Sequence, residues 1–525
     1  MLGEKQYNEK LFVSFQLSQR VPADNIYRRL KSSIDLRFIR DETKQYYGTE
    51  GQKSIDPEVF FKLMLVGYLE NINSDRKIIE HACMRLDILF FIGYDIDEEL
   101  PWHSTLSRTR KLYGEEVFLS LFRKVLAMCI EKGMVSGRRQ AIDSAYIKAN
   151  ASMDSLVEKE VVENTQAYLD GLNENDEEKP VVTREKKQQV EQHHAWKKEA
   201  YKGMPGNRVN DNEEKDENGN LIRPRYLSNH THYSPTDPDA RISVKPGKPR
   251  QLNYSGQISV DTKSYVICGA MADHADRRDS QSLPAILTRT IDNLKSHEIK
   301  VQEVLADTGY SSGDALRLLD FQRIRGYIPN FGGYKPSRDG FAYYPEKDLY
   351  VCSQGVHITY RKTYCDKKGN WKKQYRSSRT HCNGCPIKQV CIGNCFEKKI
   401  EHTADKEYYD KMNERMQTPT GKMMKRIRQS TVEPVLGTLV NFINMRRVNT
   451  RGIHLANKHV LLAATVYNLK KYMKYIQRKA GVTAKSVHKA YLSGLSATVL
   501  FCFFLFIKFV LPKSRKAALS TPVFI

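Results

Sequence analysis

The chain has 525 residues, with 84 Lys and Arg against 61 Asp and Glu, so its formal net charge at pH 7 is +23. This length predicts several domains, at about one per 100–200 residues. The positive charge favours a polyanionic partner, because phosphates neutralised by Lys and Arg release counterions. The polar stretch from Met1 to Lys10 does not look like a signal peptide, and ten cysteines without one argue against a disulfide-stapled secreted protein.

The first 135 residues have the pattern of a helical domain. Asp56-Pro57-Glu58 is typical of a helix start, and a strongly apolar run follows it. Further helices are predicted from Asp75 to Phe91 and from Gly114 to Lys132. Between them, the basic stretch beginning at His103 predicts another helix start, which could offer backbone amides to a phosphate. A bundle that only packs is the alternative for this region.

Three acids on separate elements suggest a metal site. The apolar residues 304–306 lead into Asp307, and residues 139–142 lead in the same way into Asp143. This pattern indicates a buried strand that delivers Asp307 to the edge of a sheet, and it places Asp143 within or at the end of a short strand. Glu433 follows a basic run further along the chain. In a strongly basic protein, such a set of carboxylates favours phosphoryl transfer on nucleic acid.

The region between Asp143 and Asp307 contains an insertion and then a sheet. From residue 151 to about 245 the composition becomes charged and rich in Gly and Asn, which predicts an inserted helical hairpin with a long loop. The elements predicted after it are strands Leu252–Asp261 and Ser264–Ala270, helix Gln281–Leu294 with Pro284 in its first turn, the Asp307 strand, helix Asp314–Phe321 and strand Arg325–Pro329. This order resembles the ribonuclease-H-like core, an α/β fold with a mixed five-stranded sheet.

Four short elements make the resemblance specific. They are Ile142-Asp143-Ser144, Asp237-Pro238-Asp239-Ala240-Arg241, Ala306-Asp307-Thr308-Gly309-Tyr310 and Val432-Glu433-Pro434-Val435-Leu436-Gly437. In this order they resemble the DDE transposases of bacterial insertion sequences. Residues 148–152 and the helical amino-terminal region, through His103-Ser104-Thr105, are also similar to that family. The likeness covers residues 20–475.

The resemblance implies a domain plan and a set of ligands. The plan is a helical domain over 1–135, with a role in DNA end binding, a catalytic core over 136–475 with insertions at 151–245 and 333–405, and a tail over 476–525. Asp143, Asp307 and Glu433 are then the catalytic acids that hold Mg²⁺ or Mn²⁺. Two such ions, about 3.5–4 Å apart, would activate the nucleophile and stabilise the leaving oxygen. The acids Asp237, Asp239, Asp261 and Asp279 are interpreted as turn or cap residues.

One motif departs from the family pattern. Related transposases often carry Tyr-x2-Arg-x3-Glu-x6-Lys around the last acid, and here the three flanking places hold Arg426, Gln429 and Val440. Arg428 adjoins the expected arginine place, and Arg446 and Arg447 lie further on. We expect Arg426, Arg428, Arg446 and Arg447 to bind DNA phosphates, although the individual contacts do not follow from the motif. The alternative is a solvated helix face.

The 333–405 insertion is rich in cysteine. The spacing Cys382-x2-Cys385, followed by Cys391, is that of a metal knuckle. Cys352 is the predicted fourth ligand of a Zn²⁺ site, with His381 and Cys395 as substitutes. An iron–sulfur cluster would accept the same thiolates, and free thiols in a basic loop are the alternative. The basic residues around Trp371 would suit a nucleic-acid backbone or a solvated loop.

The sequence as a whole predicts a transposase that cuts and joins the ends of its own element. The expected partners are double-stranded DNA, both element ends and target, and further copies of the chain in a homodimer or higher assembly. The expected location is the bacterial cytoplasm, at the nucleoid. The apolar run Ala497–Leu511 is shorter than the ~20 residues that span a bilayer, so a buried terminal element is expected and a membrane anchor is the alternative. A domesticated DNA-binding protein that no longer cleaves DNA is the second function kept open.

Overall fold

The computed structural model describes residues 5, 14–48, 50, 53–158, 228–229, 232–243, 249–332, 334–366 and 369–479. The chain divides into two compact units, Met1–Leu469 and Lys470–Ile525. Every element discussed below lies in the first unit, and residues 470–479 of the second are helical. Within the described part of the chain, no helix has the length and apolar character needed to cross a membrane. The apolar run Ala497–Leu511 and most of the predicted 151–245 insertion lie outside the described residues.

The amino-terminal region is helical, as predicted. Its helices are α1 Leu17–Arg20, α2 Ile26–Ser33, α3 Phe38–Thr43, α4 Pro57–Leu69, α5 Asp75–Cys83, α6 Leu86–Ile92, α7 His103–Leu112 and α8 Glu115–Glu131. Asp56 caps α4 by accepting a hydrogen bond from the Glu58 backbone N–H, with Pro57 in the first turn. The single helix predicted from Asp75 to Phe91 is two helices, because Arg85 adopts an extended backbone between α5 and α6.

The helices enclose an aromatic core. The rings of Phe61 and Tyr113 stack with centroids 6.0 Å apart, and Phe60 and Phe118 pack against them edge-on. All four side chains are buried. Fully burying a side chain of this size contributes about 1.5–3 kcal/mol to stability. This core therefore accounts for the apolar pattern of α4 and α8.

The main sheet is mixed and has six strands. They are β1 Arg139–Lys148, β4 Arg241–Ser243, β5 Gln251–Asp261, β6 Ile267–His274, β7 Glu303–Leu305 and β8 Arg325–Tyr327. Their order is β4-β5-β1-β7-β8. Strand β6 pairs with the same edge of β5 as β4 does, further along that strand. Strands β1, β7 and β8 are parallel, whereas β5 is antiparallel to β1. The sheet thus has one short strand more than the five predicted.

Two helices and a buried cluster cover the parallel strands. Helix α9 spans Asp279–Lys295 and α10 spans Gly313–Phe321. Pro284 lies inside α9 and not in its first turn, because the helix begins two residues earlier than predicted. The side chains of Ile142, Val304 and Tyr310 are buried in the same apolar cluster. This packing fixes the strand ends from which the acids project.

The cysteine-rich region forms a second, antiparallel sheet. Its strands are β9 Phe341–Tyr344, β10 Leu349–Cys352, β11 His357–Cys365, β12 Trp371–Ser377 and β13 Lys399–Thr403, each paired with the next in chain order. Tyr350, Ile358, Tyr375 and Ile400 form its small buried core. Two short helices, α11 Arg379–Asn383 and α12 Lys388–Cys391, connect β12 to β13. The remaining two strands, β2 Val157–Glu158 and β3 His232–Tyr233, pair only with each other.

Three helices complete the unit. Helix α13 spans Lys406–Gln417, and α14 spans Pro419–Phe442. Residues 453–469 are also helical, and His459 in this stretch meets the Tyr68 hydroxyl at 2.6 Å. The Lys458 ammonium donates to the carbonyl of Arg110 at 3.0 Å. The amino-terminal helices therefore contact the helical stretch 453–469 through buried polar groups.

Candidate active site

Asp143 and Asp307 project from neighbouring parallel strands. The register pairs Ala141 of β1 with Leu305 of β7, so each acid comes two residues beyond this pair on its own strand. Asp307 follows the end of β7, and its carboxylate accepts a hydrogen bond from the Gly309 backbone N–H at 2.8 Å. The Asp143 carboxylate accepts one from the Ser144 N–H, also at 2.8 Å. The two acids thus come from adjacent strands at the same level of the sheet.

Glu433 reaches the same region from helix α14. Its side chain is 54% exposed, and Oε1 lies 3.2 Å from a guanidinium nitrogen of Arg428. The other guanidinium nitrogen of Arg428 lies 2.8 Å from Asp143 Oδ2. One buried arginine, 9% exposed, thus links the first and third acids. This contact was not anticipated, since Arg428 was expected to bind DNA phosphate.

A fourth carboxylate, that of Asp279, lies beside the other acids. A Cβ built on Gly309 would be 3.0 Å from Asp307 Oδ1 and 3.1 Å from Asp279 Oδ2, so these two oxygens are no more than about 6 Å apart. The other Asp279 oxygen, Oδ1, accepts hydrogen bonds from Ser144 Oγ at 2.8 Å and Gln257 Nε2 at 3.1 Å. Asp279 is the first residue of α9, directly after the N-cap residue Arg278, and its sequence context alone does not place it among the acids.

Hydrogen bonds hold Asp279 in this position. The Tyr310 hydroxyl donates to Gln257 Oε1, and Gln257 in turn donates to Asp279. Tyr310 and Gln257 are buried, so this series of hydrogen bonds is shielded from water. Among the described residues, hydrogen-bond donors contact only Oδ1 of Asp279. Its other oxygen, Oδ2, lies beside the space next to Gly309 and Asp307.

The local electrostatics disfavour negative charge on Asp143 and Asp307. Burial raises the pKa of Asp143 to about 6, and the charges of Asp307 and Asp279 add to the effect, although the Ser144 amide and Arg428 oppose it. Burial and the charge of Asp279 also raise the pKa of Asp307 above its ordinary value. Desolvation and like charges both favour the neutral carboxyl, and a bound cation would reverse the preference. Perturbed acids of this kind are typical of active sites.

The carboxylates fit a divalent metal by their chemistry. Carboxylate oxygens are the hard ligands that Mg²⁺ prefers. The gap between Asp279 and Asp307 exists because residue 309 is glycine, and a side chain there would fill it. Across the described residues, however, no group of three or more His, Cys, Asp or Glu side chains is already close enough to hold a metal ion. Asp143, Asp307 and Glu433 are therefore brought together without forming a finished three-ligand site.

The predicted cysteine ligands also lie too far apart to hold a metal ion as they stand. Cys352, Cys382, Cys385 and Cys391 all line one cavity of about 310 Å³, together with His381. Cys382 Sγ is 2.9 Å from Ser377 Oγ. The four predicted ligands thus gather around one space but do not form the tetrahedral zinc site expected from their spacing, because no three of them converge on a point. Cys395, a predicted substitute, is exposed.

The other predicted DNA-binding arginines lie on the surface. Arg426, Arg446 and Arg447 are exposed. The backbone carbonyl of Arg446 accepts a hydrogen bond from the Lys148 N–H at 3.1 Å, which places Arg446 beside the end of the strand that carries Asp143. The Arg447 guanidinium donates to Asn150 at 3.2 Å. Three of the four arginines thus remain available for a polyanion, and Arg428 does not.

The remaining competing acids have structural partners. Asp237 is buried and accepts a hydrogen bond from the Tyr254 hydroxyl at 2.6 Å and one from the Gly452 N–H at 3.0 Å. Asp239 accepts from the Ile453 N–H at 2.9 Å. Asp261 accepts from the Gly137 and Lys263 backbone N–H groups. The interpretation of these three as turn residues agrees with their contacts.

Comparisons with known proteins match two parts of the chain. Residues 15–112 match the family model described as Transposase domain (DUF772), which covers most of the helical region. Residues 351–473 match the model described as Transposase DDE domain. This second match includes Glu433 and the cysteines but begins after Asp143 and Asp307. A comparison with curated proteins finds no match.

The two matches agree with the motifs at both ends of the chain. The first domain lies where the sequence predicts a transposase-like helical domain, and the second contains the segment around the third acid. In both matched regions the chain is therefore similar to transposase domains, which is consistent with a DDE transposase of insertion sequences.

Proposed function

We propose that this chain catalyses metal-dependent cleavage and strand transfer of DNA at the ends of its own insertion sequence. The observation that carries the proposal is that three acids from distant elements lie in one region of the main sheet. Asp143 and Asp307 come from the adjacent parallel strands β1 and β7, and Glu433 is joined to Asp143 through Arg428. Arrangements of this kind suit phosphoryl transfer, because the reaction depends on positioning and on stabilising charge.

The main sheet supports a ribonuclease-H-like assignment of the core. Its long path runs β6-β5-β1-β7-β8, with β1, β7 and β8 parallel and with β5 antiparallel to β1 and β6. The acids come from the central strand, from the strand beside it and from a helix late in the chain. This is the order predicted by the family resemblance.

The acids and Arg428 have the following roles in the proposed site. Asp143 and Asp307, with raised pKa values, would hold the divalent cations, and Glu433 would complete the ligand set from the helix. When bound, the cations supply the charge that activates the attacking oxygen and stabilises the leaving one. We propose Asp279 as a fourth acid that shapes the site through its free oxygen beside Asp307. Arg428 would keep Asp143 and Glu433 near each other by ion pairing.

The proposed partners follow from charge and from the exposed arginines. The net charge of +23 and the arginines at 426, 446 and 447 support binding of double-stranded element ends and target DNA. Joining two ends would require a homodimer or higher assembly on the DNA. Such an enzyme would work at the nucleoid in the cytoplasm. Zinc or an iron–sulfur cluster at Cys352, Cys382, Cys385 and Cys391 is proposed from their shared cavity.

The test is cleavage of DNA that carries the ends of the element encoding this chain. Purified protein is incubated with the end DNA in Mg²⁺, and nicks are mapped on both strands. We expect cleavage at the element boundary by the unaltered protein and none by Asp307→Ala or Glu433→Ala, with end binding retained. Binding without cleavage by the unaltered protein would favour the second candidate, a DNA-binding protein that no longer cuts. Full cleavage by either variant would remove that acid from the site.

A further inference from the structure

A basic cavity of about 640 Å³ lies between the second sheet and the segment that precedes it. Five cationic side chains line it and only one carboxylate, that of Glu401. The cations are Lys335, Arg338, Lys372, Lys399 and Lys406. Nothing in the proposed cleavage chemistry uses this cavity, which is built from a different set of residues from the acids.

Among the described residues, carboxylates pair with three of these five cations. Lys399 pairs with Glu401 at 2.5 Å, Lys372 with Asp366 at 3.0 Å, and Lys406 with Asp410 at 2.8 Å. Lys335 and Arg338 are exposed at the mouth. Neither has a carboxylate partner among the described residues, and Arg338 donates instead to the backbone carbonyl of Glu401. The mouth therefore carries two positive charges that an anion can reach.

The histidine in the cavity lining, His402, is neutral and is held by two tyrosines. The Tyr350 hydroxyl lies 2.7 Å from His402 Nδ1, and the Tyr375 hydroxyl lies 3.1 Å from His402 Nε2. Burial lowers the pKa of His402 to about 4, and the nearby Lys406 and Arg338 lower it further than the opposing charge of Asp348 raises it. The ring is therefore uncharged at neutral pH, and the positive charge is concentrated on the lysines and on Arg338.

The cavity is attached to the element that carries the third acid. Lys406, 6% exposed, is the first residue of α13, and its ammonium also donates to the Pro336 carbonyl at 2.7 Å. At the other end of α13, Arg415 donates to the Gly326 carbonyl of β8 at 2.9 Å. Thr418 alone separates α13 from α14, the helix of Glu433. A ligand in the cavity is thus connected to the acids by packed helices.

We propose that the basic cavity binds the phosphodiester backbone of a DNA strand on which the enzyme acts. The volume lies within the range of about 300–1,000 Å³ for small-ligand sites, so it can admit a nucleotide-sized group. Accessible Lys and Arg charges suit phosphates whatever the base sequence. The proposal rests on the proposed function, which supplies DNA as the substrate. It assigns DNA binding to a surface that includes neither the acids nor the exposed arginines Arg426, Arg446 and Arg447.

The test removes the two accessible charges at the mouth. Affinity for end DNA is measured by fluorescence anisotropy across a salt series for the full chain, for Lys335→Ala with Arg338→Ala, and for the control Lys347→Ala with Lys362→Ala. Both control residues are exposed and neither lines the cavity; Lys362 lies on β11, and Lys347 lies in the turn between β9 and β10. We expect the mouth variant to bind at least about tenfold more weakly at low salt, with a log–log salt slope flatter by about two. The control should change neither quantity by a comparable amount.

Two outcomes overturn the proposal. One is a mouth variant whose affinity and slope match those of the unaltered protein or of the control. The other is tight binding of a mononucleotide, lost in the mouth variant while DNA affinity is kept, which would make the cavity a nucleotide site. DNA cleavage is measured in a separate assay. If the unaltered protein binds DNA through the mouth of the cavity but never cleaves it, the proposed function is refuted and the assignment of the cavity as a DNA-binding site still holds. Circular dichroism of both variants shows whether they fold.

Discussion

Replacing Asp143 with Asn should make the metal-free protein more stable at alkaline pH. The folded protein raises the pKa of Asp143 from 3.8 to about 6, so ionising this carboxyl costs about 3 kcal/mol more in the folded than in the unfolded chain. A folded pKa above the unfolded one means that the carboxyl contributes stability below pH 4 and that this contribution is lost as pH rises through about 6. Asn has the shape of the neutral carboxyl and does not ionise.

The size of the gain should therefore depend on pH. We expect Asp143→Asn to be more stable than the unaltered protein by about 3 kcal/mol at pH 8 and by less than about 1 kcal/mol at pH 4, or by a few degrees in melting temperature at the higher pH. Urea unfolding in EDTA at both pH values measures the difference. Asp292→Asn, an exposed acid of α9, is the matched control.

The same variant separates metal binding from folding. Adding Mg²⁺ should raise the melting temperature of the unaltered protein and have a smaller effect on Asp143→Asn, because a ligand that binds only the folded state stabilises it. An Asn variant that is equally stable or less stable at pH 8, with no dependence on pH, would refute the reasoning. It would mean that Arg428 fully compensates the buried charge.

Three further predictions concern the rest of the site. Asp279→Asn should weaken the site for Mn²⁺, seen by calorimetric titration, while leaving the melting temperature in EDTA unchanged or higher; unaltered Mn²⁺ binding would exclude Asp279 from the site. Purified protein should contain about one zinc, or iron for a cluster, and Cys382→Ser with Cys385→Ser should lose it; metal-free protein prepared without chelator would contradict this by elemental analysis. Arg426→Ala with Arg446→Ala should flatten the salt dependence of end binding by about two units, and an unchanged slope would move the phosphate contacts elsewhere.

The sequence predicts the strands that lead to two of the three acids, for a physical reason. A buried parallel strand needs a continuous apolar run, and an acid directly after such a run is expected at the sheet edge. Asp307 follows the end of β7 in this way, whereas Asp143 is the fifth of the ten residues of β1 and lies within the strand. Glu433 came from the family resemblance, because one acid within a long helix has no local signal.

The contacts among the side chains could not be predicted in the same way. Arg428 follows a basic run, so its sequence context suggests phosphate binding, and only the fold shows that it is buried against Asp143. Asp279 has the position of a helix-start residue, and its nearness to Asp307 depends on the packing of α9 against the sheet. Arg241–Ser243 is too short a strand to show an alternating pattern.

The second sheet was missed for a different reason. Strand β11 is exposed along most of its length, so its residues do not alternate clearly between apolar and polar. The cysteines and lysines of this region dominate its composition, and they predicted a metal knuckle within a loop. The buried core of the sheet consists of one residue from each of four strands, which is too sparse a signal to recognise in sequence.

The register of β1 limits how this protein can evolve. Strand β1 pairs with β5 over nine residues and with β7 over three, and both pairings include Ala141. Since successive side chains point to opposite faces, one residue inserted or deleted between Arg139 and Ile142 would turn Asp143 away from Asp307 or break both ladders. Loops elsewhere can change length without this effect. In relatives of this chain, the distance between the start of β1 and its acid should therefore vary far less than the distances between the acids themselves.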